Sequence, residues 1–262
     1  MRLADRVVIV TGGAAGMGLA FASRLLSEGA AIVIADIKDP EPALNALGHS
    51  DRTLGLRTDV SQVDSVRSMI KTVFERFGRI DVLINNAAIF STLEPQPFDE
   101  IHEQDWDQLM AVNVKGVWNC VREVTPVFRA QQSGRIINIA SNAGKQASAN
   151  GAAYSTSKFA VIGLTQASAM DLAPHNITVN AVCPGPINTD RMSYWERDQA
   201  AERGITQEEF RGQIVASSSQ STPLGRIAEA QDVANLVSFL AGEDASFITG
   251  QAYNVNGGQL FH

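Results

Sequence analysis

Tyr154 and Lys158 stand four residues apart, a spacing that puts both side chains on one face of a helix. An ordinary tyrosine, with a pKa near 10, is a poor base in neutral water. A cation beside the phenol favours its ionised form. The expectation is therefore that Lys158 lowers the Tyr154 pKa and makes the hydroxyl an acid–base group near neutrality. Tyr and Lys share helix faces by chance, so the pair draws its meaning from what stands upstream. There, Thr11-Gly12-Gly13-Ala14-Ala15-Gly16-Met17-Gly18 follows an apolar run and opens a helical period. Glycines let backbone approach a pyrophosphate whose charge helix N-terminal amides can meet. An ordinary tight strand–helix turn would use the same residues, and its place directly after the first strand favours the dinucleotide. Together the two features read as proton transfer paired with hydride transfer.

Other residues fit that chemistry singly and loosely. Asp36 ends the second apolar run, where a carboxylate can accept hydrogen bonds from an adenosine ribose or simply face solvent. It would repel a 2′-phosphate, and no base stands at Ala14, Ala15 or Ile37, with Lys38 the nearest, so the sequence favours NAD over NADP. Asn85-Asn86-Ala87-Ala88 closes the fourth strand, a ligand-binding position in parallel sheets that a plain turn could also occupy. Asn113 falls on the apolar stripe of Trp106, Leu109, Met110, Val117 and Val121. A buried amide needs partners, in a polar network, an ordered water or the core itself. Ser141 ends a strand and either donates to a substrate oxygen or caps a turn. The four histidines form no metal spacing and no nucleophile motif, and Cys120 and Cys183 sit in apolar runs as small core residues.

The elements that must position these groups alternate from end to end. Strands are expected at Val7–Val10, Ala31–Ala35, Thr53–Arg57, Val82–Ile84, Arg135–Ala140, Ile177–Val182 and Gln251–Val255. Helices are expected at Met17–Glu28, along Val63, Val66, Ile70, Val73 and Phe77, at Glu103–Ala130 and Ala152–Ala173, and along Val233, Leu236, Val237 and Leu240. Strand–helix alternation with unbroken β-branched strands implies an α/β fold, a doubly wound parallel sheet of about seven strands covered on both faces. One domain, 1–262, is expected, with an irregular and polar insertion at Pro186–Thr222 of a length that is usually functional or mobile.

Composition narrows the class. Apolar residues make up 45% and charged residues 19% of 262, a globular composition rather than a disordered one. A net charge of −7 without a basic run leaves no footprint for nucleic acid. The apolar stretches are strand-sized, too short to span a membrane. The first strand follows Met1–Arg6 directly, without a signal-peptide core, and a cytoplasmic protein is expected.

Read together, these segments resemble the short-chain dehydrogenase/reductase family in its compact single-domain branch, over the whole chain and in order. Thr11, Gly12, Gly16 and Gly18 match the family's glycine turn, and Asp59-Val60 its adenine-contacting Asp-Val. Asn85-Asn86-Ala87 matches its Asn-Asn-Ala-Gly, with Ala88 in place of the glycine. Asn113, Ser141, Tyr154 and Lys158 match the catalytic tetrad, Pro184-Gly185 with Ile187 and Thr189 the nicotinamide-contacting segment, and Gly250, Val255, Gly257 and Gly258 the C-terminal signature. The resemblance implies a Rossmann-type fold with NAD held by Gly12, Ala15, Gly16, Met17, Gly18, Asp36, Asp59, Val60, Asn86, Ala87, Tyr154, Lys158, Pro184, Gly185, Ile187 and Thr189. It implies that Tyr154 takes the proton of an alcohol, Ser141 polarises its oxygen, Lys158 tunes Tyr154 and holds ribose hydroxyls, and Asn113 anchors a water. The tail Asn254–His262 resembles members acting on polyols, small hydroxyketones and aryl alcohols. Phe90, Ala143, Gln146, Ser148, Met192, Tyr194 and Trp195 are candidate pocket walls, mixed enough for a small polar alcohol or an aromatic one. A secondary alcohol on a polyol, sugar alcohol or small hydroxy compound is the expected substrate. An aryl-alcohol dehydrogenase, an NADPH-dependent ketone reductase and a catalytically silent dinucleotide sensor are the alternatives. A homotetramer is implied, through the long helices, with Val114, Val117, Val121 and Phe159 as apolar surface.

Overall fold

Runs of β-branched residues become strands and the apolar helical periods pack across them. The computed structural model describes residues 1–90, 96–188 and 194–262, the side chains of 194–196 excepted. The strands are β1 (Val7–Thr11), β2 (Ala31–Asp36), β3 (Thr53–Arg57), β4 (Val82–Asn85), β5 (Gly134–Ile139), β6 (Ile177–Pro184), β7 (Ile187–Asn188), β8 (Ala228–Glu229) and β9 (Ala252–Val255). The helices are α1 (Gly16–Ser27), α2 (Glu41–Leu47), α3 (Val63–Phe77), α4 (Glu103–Met110), α5 (Gly116–Gln131), α6 (Ala152–Leu172), α7 (Tyr194–Glu202), α8 (Gln207–Gln220) and α9 (Ala230–Ala241).

Seven strands form one sheet in the order β3-β2-β1-β4-β5-β6-β9, every neighbouring pair parallel. Alternation sorts the side chains to two faces. Val8, Val10, Ile32, Ile34 and Ile84 pack with Phe21 and Leu25 of α1 and Val233 and Val237 of α9. Val7, Ile9, Val33 and Leu83 pack with Val66 and Val73 of α3, Val124 and Phe128 of α5 and Leu172 of α6. Each such side chain contributes roughly 1.5–3 kcal/mol by leaving water. Strand order reverses between β1 and β4, which opens a crevice at their carboxyl ends. Among the described residues no helix is long and apolar enough to cross a membrane.

Three expectations change. The helix expected over 103–130 is interrupted: α4 and α5 are joined by a π-helical turn, Ala111–Lys115, in which the Gly116 amide reaches back to the Ala111 carbonyl. The insertion is not irregular, since it carries β7, α7 and α8. A capping box starts α8: Thr206 Oγ1 accepts from Glu209 N at 3.1 Å, and the Glu209 carboxylate accepts from Thr206 N at 2.8 Å. Val117 is core rather than outer surface, packed with Val161 and Ala181, while Trp118 of α5 and Phe159 and Met170 of α6 are exposed.

Candidate active site

The glycine turn and the end of β4 are stitched together by short polar side chains. Thr11 is buried, and its Oγ1 accepts from Asn86 N at 3.0 Å and Ala87 N at 3.1 Å while donating to the Ile84 carbonyl at 3.2 Å. Asn86 Nδ2 returns two bonds of 3.0 Å, to the Thr11 and Gly12 carbonyls. The backbones come so close that a Cβ on Gly12, at φ +63°, would meet Ala87 Cα at 2.8 Å. A Cβ on Gly18 would strike the Gly12 carbonyl. Gly16 differs: its φ is +57° and nothing lies within 4 Å of its Cβ position, so it faces open space. Beside it, Ala15 starts α1 without a side-chain cap, and no acidic residue stands in the first turn. Those free amides and the positive end of the helix fit an anionic pyrophosphate.

On the β2 side of this cradle, Asp36 Oδ2 accepts from Ala14 N and Oδ1 from Lys38 N, both at 3.0 Å. The carboxylate is thus fixed at the tip of β2 against the glycine turn. Asp59 Oδ1 accepts from Ser61 N at 2.9 Å, and Asn119 Nδ2 of α5 donates to the Val60 carbonyl at 2.9 Å. Asp36, the uncapped start of α1 and the ends of β4, β5 and β6 lie along one edge of the sheet, and the donor set there fits a dinucleotide.

The four candidate catalytic residues gather around the start of α6, beyond the end of β5. Ser141 follows β5, and its Oγ accepts from Ala143 N at 3.1 Å, so it caps the tight turn Asn142–Gly144. That turn lies on α6 with no room to spare: a Cβ on Gly144 would meet the Lys158 carbonyl oxygen at 2.7 Å. The close fit sets the Ser141 hydroxyl beside Tyr154. Burial pushes the Tyr154 hydroxyl up to about 12, and the neighbouring Ser141 hydroxyl pulls the other way. Lys158 is buried too; its Nζ donates to the Ile139 carbonyl at 2.8 Å and stands 5.6 Å from the centre of the Tyr154 ring. Burial lowers the ammonium to about 8. Spacing predicts a lowered pKa for the phenol, but in the folded chain burial raises it. Asn113 sits in the π-helical turn, its Oδ1 accepting from Ile89 N at 2.8 Å and its Nδ2 donating to the Ile89 carbonyl at 3.0 Å and Ser157 Oγ at 3.2 Å. Its side chain is engaged with protein, so anchoring a water does not fall to a free side-chain donor. Single π turns recur at functional sites.

With this geometry in place, the chain was compared with known proteins. The family model described as short chain dehydrogenase matches residues 6–200. The chain belongs to the short-chain dehydrogenase family. Members of this family are oxidoreductases of alcohols and ketones that use a nicotinamide dinucleotide. Galactitol 2-dehydrogenase of Agrobacterium fabrum (strain C58 / ATCC 33970) is 36% identical over 259 residues, covering 98% of each chain. Among solved structures, levodione reductase superposes with a TM-score of 0.87 at 31% identity, over 98% of each chain. A 3-ketoacyl-(acyl-carrier-protein) reductase from Brucella melitensis, complexed with NADH, superposes with a TM-score of 0.84 at 29% identity, over 98% of this chain and 99% of the other.

Within this short-chain dehydrogenase the remaining candidates are unevenly placed. Pro184 ends β6 buried, Gly185 N donates to the Val255 carbonyl at 3.0 Å, and Ile187 lies half-buried in β7. Phe90 stacks obliquely on Tyr154, centroids 5.0 Å apart, and is largely exposed. Ala143 is half-buried, and Gln146 and Ser148 are exposed. Thr189 and Met192 lie outside the described residues, as do the side chains of Tyr194 and Trp195, whose backbone opens α7. Sequence reasoning missed the supports: Asn119 under the Asp59–Val60 turn, Ser157 beside Asn113, and Gly144 against α6. The Gly144 signal was present in Ser141-Asn142-Ala143-Gly144, a turn that ends on its one residue without a side chain.

Proposed function

We propose that this short-chain dehydrogenase interconverts a secondary alcohol of a polyol or small hydroxy compound and its ketone, with NAD as the coenzyme. The carrying observation is the grouping of Ser141, Tyr154 and a buried Lys158, whose Nζ stands 5.6 Å from the centre of the Tyr154 ring, in the same chain as a glycine cradle that fits a pyrophosphate. Gly12, Ala15, Gly16, Met17 and Gly18 would hold that pyrophosphate. Asp36 would hold the adenosine ribose, Asp59 and Val60 the adenine, and Asn86, Ala87, Pro184, Gly185, Ile187 and Thr189 the nicotinamide half. NAD supplies the two-electron acceptor for the carbinol hydrogen.

Every other step is the protein's. Ser141 Oγ donates to the substrate oxygen and fixes it beside Tyr154. The Tyr154 phenolate takes the hydroxyl proton, and the charged Lys158 steadies that phenolate against the burial that otherwise keeps it protonated. In reverse, the phenol returns the proton to the ketone oxygen. Holding carbon, oxygen and base in register is worth several kcal/mol, about 7 or more in well-oriented cases. Ala143, Gln146, Tyr194 and Trp195 border the substrate.

The galactitol 2-dehydrogenase likeness supports the polyol reading, and the NADH in the Brucella enzyme supports the coenzyme. Asp36 favours NAD because its carboxylate opposes a 2′-phosphate. The exposed Trp118 and Phe159 support a homotetramer built on α5 and α6. The test follows absorbance at alkaline pH with galactitol, other hexitols, vicinal diols and aryl alcohols, each with NAD and with NADP. Turnover of hexitols with NAD is expected; turnover only with NADP, or only on aryl alcohols, would replace the corresponding part of the proposal.

A further inference from the structure

Between the Ser141 turn and the returning end of the 186–222 insertion runs a chain of side-chain amides whose orientations are all fixed. Thr222 is buried, and its Oγ1 donates to the Ser218 carbonyl in the last turn of α8 at 2.7 Å. A carbonyl only accepts, so Oγ1 keeps its lone pairs for Gln259, whose Nε2 donates to it at 2.8 Å. That turns Gln259 Oε1 toward Asn142 Nδ2, 3.4 Å away. Asn142 Oδ1 in turn accepts from Asn256 Nδ2 at 3.1 Å. The far end fixes the same direction independently. Asn256 Nδ2 also donates to the Leu260 carbonyl at 3.0 Å, and its Oδ1 accepts from Gly258 N at 3.0 Å. No amide in the chain can flip without losing a partner.

This relay touches three parts of the site. Asn142 follows Ser141 directly and lies in the turn that Ser141 caps. Thr222 closes the insertion next to α8. Gln259 also packs on the β6 end, where a Cβ on Gly185 would meet its Oε1 at 2.8 Å. We propose that Gln259 is a positioning residue that couples the end of the insertion to the serine turn, so that order in one is felt by the other. The proposal rests on the reading of Ser141 as the group that orients substrate oxygen, while the coupling itself stands on the hydrogen bonds.

Hydrogen–deuterium exchange on the full chain, alone and with NADH, tests it without turnover. Thr222→Val should speed exchange several-fold in the peptide 141–147, across the relay, as Gln259→Leu does. Thr222→Ser, which keeps the hydroxyl and loses only the methyl, should restore the wild-type pattern. NADH affinity should stay within twofold throughout. Faster exchange confined to 214–222, or equal disturbance by Thr222→Ser and Thr222→Val, would overturn the coupling and leave only local packing. If Thr222→Val does not fold, the isosteric Gln259→Glu gives the same reading, because a carboxylate cannot donate to Thr222 while Thr222 donates to Ser218. Failure of the dehydrogenase reading would look different: no turnover of galactitol or the other alcohols, with the relay's exchange pattern intact.

Discussion

At the amino ends of the strands, Asp81 is only 2% exposed yet fully engaged. Its carboxylate accepts from Arg79 at 2.6 and 2.9 Å, from Arg6 at 3.3 Å and from Val7 N at 2.9 Å. Glu243 pairs with Arg6 and, at 3.3 Å, with the buried Arg135. At the carboxyl ends, by contrast, Lys158 is buried against a carbonyl rather than a carboxylate, Tyr154 is held protonated, and the first amides of α1 have no side-chain cap. Asn85 Oδ1 and Ser155 Oγ, both buried there, have no partner among the described residues. Charge at the amino end is matched within the chain, apart from the Arg135 Nε and Glu28 Oε2, which have no partner among the described residues. At the carboxyl end the buried Lys158 has no carboxylate partner among the described residues. One end stabilises the fold, and the other carries a standing cost that suits a ligand site.

Exchanging a residue at either end should separate stability from activity. Lys158→Met is expected to lower turnover roughly 100-fold or more while stabilising the folded chain by about 2 kcal/mol at pH 7, since it removes a buried unpaired charge. The Lys158 ammonium is held at about 8 against an ordinary 10.5. Between those values the unfolded chain binds more protons, so this group's contribution to stability rises with pH across that window. Urea titrations at pH 7 and pH 10 should show the rise in the wild type and its loss in Lys158→Met.

Asp81→Asn should do the opposite. Leaving Arg6 and Arg79 without their buried partner is expected to cost about 3 kcal/mol, lowering Tm by roughly 6–12 °C. NADH affinity at 25 °C should stay within about twofold, because the site lies at the other end of the sheet. An Asp81 variant that lost NADH binding before it lost stability would break the comparison. The smallest effect belongs to Asp36→Ala. It should raise the NADP to NAD ratio of kcat/KM about tenfold, and an unchanged ratio would place coenzyme selection elsewhere.

Much of this division was legible in the sequence. Unbroken strands such as Val7–Val10 and Ile177–Val182 announce a parallel sheet because both faces are apolar, and the glycine turn locates its ligand-binding end. The π-helical turn at Asn113 was not legible, since its widening comes from the amide pairing with Ile89 and Ser157 across the fold. Helical period alone reads the segment as continuous. The α8 helix was missed although Thr206 and Glu209 spell its capping box, because only Phe210 is buried and no apolar stripe marks it. The Tyr154 pKa went the wrong way for a similar reason: spacing shows the neighbouring cation and not the depth of burial.

Tyr154→Phe tests the central claim most directly, measured for alcohol oxidation with NAD and for NADH affinity in one preparation. The exchange removes only the hydroxyl that Ser141 contacts and leaves the glycine cradle untouched. The account predicts turnover reduced about 1000-fold or more, with the NADH dissociation constant within about threefold of wild type. Turnover within tenfold of wild type, with NADH still bound, would contradict it and remove Tyr154 from the acid–base role.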